Sequence, residues 1–551
     1  MDARDVIDGQ LRDLTERFHS GLLSRRELLE KAGWLLGGTA LASFVATCGS
    51  FGSAAAAAVP SAPRSHPKRG GVLKVGYWAE PGVLDPVFTT RYQTLDVACN
   101  FFEGLFADSA KYSPKPMLAA SYDTSRDGKL VTIGLRKGVT FHNGKEMTSA
   151  DVLASLKRWL AIGANGAMVA PRIDEIKAKD KYTIVVAFNK ATGLFPTFLS
   201  LPDATIVPEE IANAAGKQMM KDLIGTGPFK FVEHLPDRHI RAVRFDNYAA
   251  RSEEPDGMAG RKTAYLDEIR WLITNEAAVR ADGLMTGEYD FAGELSWSSY
   301  ERLKADPRLI LYLTKPYEWL AIHLNKKQGM FTNIKMRRAI QKIANLEPAN
   351  RAAFRSPEFY RLDPGITSRE TALYSEAGKE YFNRPNVDEA KALLKEAGYK
   401  GEPVVWMTNK ESQANYDLAL TFKGQLEATG MTVDLQVMDS ATLRARREKP
   451  ELWNAFITGH PAQLHPVMHV FFNARWPGWW ENEKKDKLVA AILSEADPKK
   501  AYGLVEELQR LVYEDVALVK IGEYFFLLGA RKEVTGYASM LRPFFFNVGI
   551  A

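Results

Sequence analysis

Apolar and polar positions alternate with a period of two from Gly70 to Tyr77, so that Leu73, Val75 and Tyr77 share one face of an extended chain and Lys74 the other. The same alternation recurs over 131–136, 182–188, 229–232, 240–245 and 432–438, and a short apolar run covers 517–521. These segments are predicted strands. Between them the period changes to that of a helix. Thr148-Ser149-Ala150-Asp151 caps a segment carrying Val152, Leu153, Leu156 and Trp159 on one stripe. Further helices are predicted over 388–397, closed by Gly398, over 416–429, closed by Gly430, and over 499–513. Phe141–Lys145 reads as a tight turn, and Gly225-Thr226-Gly227-Pro228 as a loop. A helix followed directly by the strand 432–438 is an αβ unit, and the chain as a whole reads as α/β.

The first 58 residues break this pattern. An amphipathic leader contains Arg25-Arg26 and is followed by a stretch, Ala32 to Pro63, without one charged side chain. Paired arginines before a short apolar run softened by Gly and Ala are the layout of a twin-arginine export signal, and the run is too weakly hydrophobic for a membrane span. Ala54–Ala58 offers cleavage sites. The expectation is an exported, periplasmic protein whose signal is 1–58 and whose Pro-rich linker is 59–69. Cys48 follows Val45-Ala46-Thr47, a poor lipobox, so lipid anchoring is the lesser expectation.

The 551 residues allow three or four domain-sized units. With 46% hydrophobic and 25% charged residues, collagen-like, disordered and disulfide-scaffold classes are excluded. A net charge of +5, dispersed along the chain, gives no nucleic-acid footprint. Of the two cysteines, Cys99 is expected in the core. The sequence has no G-x-S-x-G elbow, H-E-x-x-H helix or Walker phosphate loop, and neither an enzyme nor a cofactor is expected.

A series of short motifs carries a family resemblance. Trp78–Pro86 comes first, then Phe102-Glu103-Gly104-Leu105, Leu118–Tyr122, Asp127-Gly128-Lys129 and Leu135–Gly144. Thr148–Val152, Gly225–Phe229, Gly287-Glu288-Tyr289-Asp290, His323-Leu324-Asn325 and Ile334–Ile340 complete it. In this order and spacing the chain resembles the extracytoplasmic solute-binding proteins of ABC importers, in the oligopeptide, dipeptide and nickel branch (family 5). The resemblance implies a two-lobed periplasmic-binding-protein clamshell with an extra inserted domain. Lobe I would comprise 70–110, 225–315 and 523–551, with the inserted domain at 111–224, and lobe II would be 316–522. It further implies a monomer that captures a small solute or peptide and passes it unchanged to permease and ATPase subunits.

In peptide-binding members a Trp-x-Ala-Asp-x-x-Asp-Pro stretch lines the cleft, its first Asp meeting the peptide ammonium. The resemblance sets Gly459–Pro466 against it, with His460 near the Trp, Gln463 near that Asp and His465 near the second. Gln463 cannot neutralise an ammonium, which enclosed without a carboxylate loses several kcal/mol of hydration. A peptide therefore needs another acid, such as Glu80 or Glu318, to reach the cleft. An opine-, sugar- or carboxylate-type solute is the alternative, and a nickel complex held by His460, His465 and His469 a lesser one. The same three histidines also read simply as cleft or surface side chains. The aromatic candidates for the cleft are Tyr77, Trp78, Trp319, Tyr416, Trp476, Trp479 and Trp480, with Arg475 as a possible carboxylate partner.

Overall fold

The alternation at Val72–Tyr77 forms a strand whose Leu73, Val75 and Tyr77 are buried. It pairs in parallel with both Glu268–Ile273 and Phe291–Leu295, placing Val75 between Trp271 and Phe291. Parallel neighbours require long crossovers, so the strand's partners come from far along the chain. The structure, a computed structural model, describes residues 67–551. The paired arginines, the alanine run and Cys48 lie outside the described residues.

One mixed sheet dominates. From edge to edge its strands are Val433–Val437, Val404–Thr408, Ala455–Pro461, Leu309–Leu324, Val519–Arg531, Phe291–Leu295, Val72–Tyr77, Glu268–Ile273, His239–Arg244 and Phe229–Leu235. The central antiparallel pair, of 16 and 13 residues, is much longer than its neighbours. The apolar run at 517–521 is thus only the start of a strand that continues to Arg531. On one side of this pair Phe101, Phe229, Trp271 and Phe545 form a core; on the other, Ile322, Trp406, Leu418 and Phe422 form a second. Positions 315/316 and 522/523 fall inside these two strands, so the halves share their backbone ladder.

A separate antiparallel sheet of Ala119–Thr124, Leu130–Leu135, Thr183–Phe188 and Ile173–Asp180 packs its Ile133 and Val186 with Trp159 of the helix Ser149–Ile162. That helix begins as its capping residues require. Asp151 Oδ2 accepts the Thr148 N–H (2.9 Å), and its Oδ1 accepts the Glu209 N–H (2.9 Å) and Lys145 Nζ (2.7 Å). The other predicted helices are Val387–Glu396, Gln413–Glu427 and Pro498–Glu514, and Gly398 and Gly430 lie at positive φ after the first two. Cys99 is a buried free thiol, and burial pushes its pKa up to about 12.

Candidate functional site

A cavity of about 510 Å³ opens where segments distant in sequence meet. Tyr92 and Leu95, on the helix Tyr92–Ala98, form one wall with Leu541 and Arg542. Asn165, Met168 and Leu201–Asp203 form a second, and His460–Leu464 with Met468–Val470 a third. The size suits a small organic ligand. Met168 and Val470 are half-exposed among these lining residues. The walls also touch outside the cavity. Arg172 Nη1 donates to Ser494 Oγ (3.2 Å), and Gly193 passes so close to the Glu495 carbonyl that no Cβ fits between them.

The polar groups of this cavity differ in how free they are. Asp203 is occupied, accepting from Trp159 Nε1 and Asn165 Nδ2, both at 3.0 Å. Asp108 accepts from Ser200 Oγ (2.8 Å), and burial pushes its carboxyl up to about 6. Arg542 lies over the Tyr92 ring at 4.9 Å, and its Nη1 has no hydrogen-bond partner among the described residues. Its nearest acid is Asp96, at 3.6 Å.

Tyr92 and Leu541 also line a smaller inner chamber, of about 30 Å³, adjoining the main cavity. Asp96, Glu294, Tyr77, Trp78 and Tyr317 face it. Glu294 sits on a bulge: the ladder between Phe291–Leu295 and Val519–Arg531 slips between Ala292 and Leu295, and Glu294 takes φ 47°. A positive φ at a non-glycine residue is strained, and bulges re-aim side chains beside functional sites. Glu318 lies close by and accepts from the Tyr524 hydroxyl. Burial is the first cause that raises all three carboxyls, Asp96 and Glu318 to about 7 and Glu294 to about 8. Glu80 is engaged elsewhere, with His234 Nε2 at 2.7 Å.

The histidines do not converge on a metal. His460 Nε2 and His323 Nε2 share one hydrogen bond (2.8 Å), and His460 stacks on Trp319 at 4.3 Å. His469 Nε2–H donates to the Ile366 carbonyl (2.9 Å), while His465 Nδ1 accepts the Val467 N–H. Burial holds His465 and His469 down at about 3 and His323 and His460 well below the usual range, so all four are neutral. Among the described residues no three His, Cys, Asp or Glu side chains group as metal ligands.

Of the residues singled out in the sequence, His460, Gln463 and His469 line the main cavity and Tyr77 and Trp78 the chamber. Trp319 is buried behind His460, His465 is buried beside the loop, and Trp476 packs on His323 at 4.6 Å. Tyr416, Arg475, Trp479 and Trp480 reach neither cavity. Tyr416 lies on the helix Gln413–Glu427 beside Lys410, and Arg475 is exposed. The turn at Gly478 sends Trp479 inward onto Trp453 (5.5 Å), and Trp480 Nε1–H donates to Asp515 Oδ2 (2.6 Å). Irregular backbone here carries core, because burying an indole gains more than exposing it. Asp96, Glu294, Tyr317 and Arg542 were not foreseen; only Gly293, a glycine inside a strand, hinted at the bulge.

Two halves joined by a pair of long strands, with a ligand-sized cavity walled by remote segments, define a two-lobed binding protein. Residues 113–507 match the bacterial extracellular solute-binding proteins, family 5 (middle region). The chain belongs to that family, and is a binding protein and not an enzyme. It is 29% identical over 488 residues to the probable peptide ABC transporter periplasmic-binding protein y4tO of Sinorhizobium fredii, covering 85% of this chain and 91% of that one. To the glutathione-binding protein GsiB of Pectobacterium atrosepticum it is 26% identical, covering 83% and 89%. The fold matches the periplasmic binding protein DppA of Helicobacter pylori, solved in complex with the peptide STSA, with TM-score 0.72, 23% identity and coverage of 88% and 98%.

Proposed function

We propose that this chain is the periplasmic substrate-binding component of an ABC importer. It captures a peptide or peptide-like solute as a monomer and delivers it to permease and ATPase subunits. The observation that carries this reading is the 510 Å³ cavity, whose walls come from both sides of the long strand pair. A solute seated there touches residues near 92, 165, 203, 463 and 542 at once, so it gains contacts only when the halves approach. Driving a 1:99 open population to 99:1 closed needs about 5.5 kcal/mol of differential affinity. In this reading lobe I is 70–110, 225–315 and 523–551 with the insertion 111–224, lobe II is 316–522, and the strands through 315/316 and 522/523 are the hinge. The two bulges in their ladder, between Thr314 and Glu318 and between Leu320 and Ala321, support flexing there.

The acids of the inner chamber answer the objection raised by Gln463, because a carboxylate is available without the usual Asp. The test is a thermal-shift screen of di- to pentapeptides, opines, oligosaccharides and nickel, with solution scattering on any hit. Peptides should raise Tm with concentration, as binding to the native state requires, and reduce the radius of gyration. Shifts from opines or sugars alone, or an unchanged radius with a saturating peptide, would refute the reading.

A further inference from the structure

The inner chamber has the chemistry of a cation receptor. Its walls are aromatic, with Tyr77, Trp78, Tyr92, Trp271 and Tyr317 among them, and π faces attract positive charge. Two carboxylates line it, and neither is fully satisfied. Asp96 is 6% exposed, its Oδ1 has no hydrogen-bond partner, and its ion pair with Arg542 Nη1 is loose, at 3.6 Å. The Glu294 carboxylate makes no hydrogen bond or ion pair among the described residues, although its strained bulge holds it at the chamber. The Tyr92 hydroxyl, at the junction with the main cavity, is also unpartnered.

Charge and size then select the occupant. The acids here are Asp96, Glu294 and Glu318, and the guanidiniums acting on them are Arg542 and Arg280. Held at about 7 to 8, these carboxyls are partly protonated near neutral pH, and a cation seated beside them would favour their ionised form. Arg280 is already spent on the carbonyls of Thr274, Asn275, Gly293 and Glu294. A volume of about 30 Å³ holds one or two water-sized groups, the size of an ammonium head.

We infer that the inner chamber receives the ammonium group of the ligand, with Glu294 as its principal acceptor and Asp96 and the Tyr92 hydroxyl completing its hydrogen bonds. The rest of the ligand lies in the main cavity beyond Tyr92. The inference rests on the solute-binding reading above, and not on the ligand being a peptide.

The test has two arms. In the first, n-butylammonium chloride is compared with sodium chloride at equal concentration by thermal shift. The wild-type protein should gain an increment from the amine that Glu294→Gln loses. No increment, or an equal one in the variant, overturns the inference. In the second, a tripeptide pool with free amino ends is compared with the same pool N-acetylated, by calorimetry. Free amines should bind better, and Glu294→Gln should weaken them about ten- to a hundredfold while leaving acetylated peptides unchanged, the range of a charge-assisted hydrogen bond. Equal binding of both pools to the wild type overturns the receptor and spares the peptide reading. If neither pool binds while butylammonium does, the peptide reading falls and the receptor stands. Circular dichroism checks that the variant folds, and Asp96→Asn provides a second variant if it does not.

Discussion

Replacing the buried histidine pair offers the sharpest check on how the third wall of the cavity is built. His323 and His460 are each 1% exposed and joined by a single hydrogen bond of 2.8 Å. Substituting His323→Leu alone orphans His460 Nε2 in a dry site, at a cost of about 1–3 kcal/mol. Substituting both, as His323→Leu with His460→Phe, removes donor and acceptor together and retains an aromatic ring on Trp319, so most of that loss should return. The pair also sets a pH dependence. Burial lowers both pKa values in the folded state, so their contribution is complete above the unfolded value of about 6.5 and is lost as pH falls below it. Acidification below that value therefore costs stability for each of the two histidines, because the unfolded chain takes up protons that the buried imidazoles refuse. Urea unfolding followed by tryptophan fluorescence, at a pH above and a pH below 6.5, measures this. The double variant should lose less stability than wild type on acidification. An identical pH dependence in the two proteins would mean that these imidazoles are not held neutral by burial, and the account of this wall would be wrong.

Three other perturbations address separate parts of the molecule. Gly193→Val puts a side chain where the Glu495 carbonyl lies, so it should hold the two walls apart, weaken peptide affinity and enlarge the scattering radius of the liganded protein without unfolding it. Trp479→Ala empties the stack on Trp453 and should cost about 3–5 kcal/mol of stability in thermal unfolding, yet leave ligand affinity unchanged, because Trp479 reaches neither cavity. Asp85→Ala strips the buried partner of Arg158, 2.6 Å away, and should destabilise by about 3–5 kcal/mol. Adding Arg158→Met should recover a large part of that melting-temperature loss.

Sequence alone determined the local elements, because each is written in neighbouring residues. The alternation at Leu73, Val75 and Tyr77 and the cap at Thr148–Asp151 can be satisfied by only one kind of backbone. It also carried the ordered motifs behind the family resemblance, and three of the cavity residues, His460, Gln463 and His469. Tertiary structure decided the rest. Tyr92, Asp203, Gln463 and Arg542 share a cavity only because the sheet's parallel and crossing strands bring remote segments together, and no local period encodes that. The same holds for the chamber acids. Glu294 faces inward through a slip in register against a strand more than two hundred residues later, and Trp479 turns into the core because Trp453 offers a surface to bury it. Which side of a chain meets solvent, and which a ligand, is fixed by what the fold places opposite it.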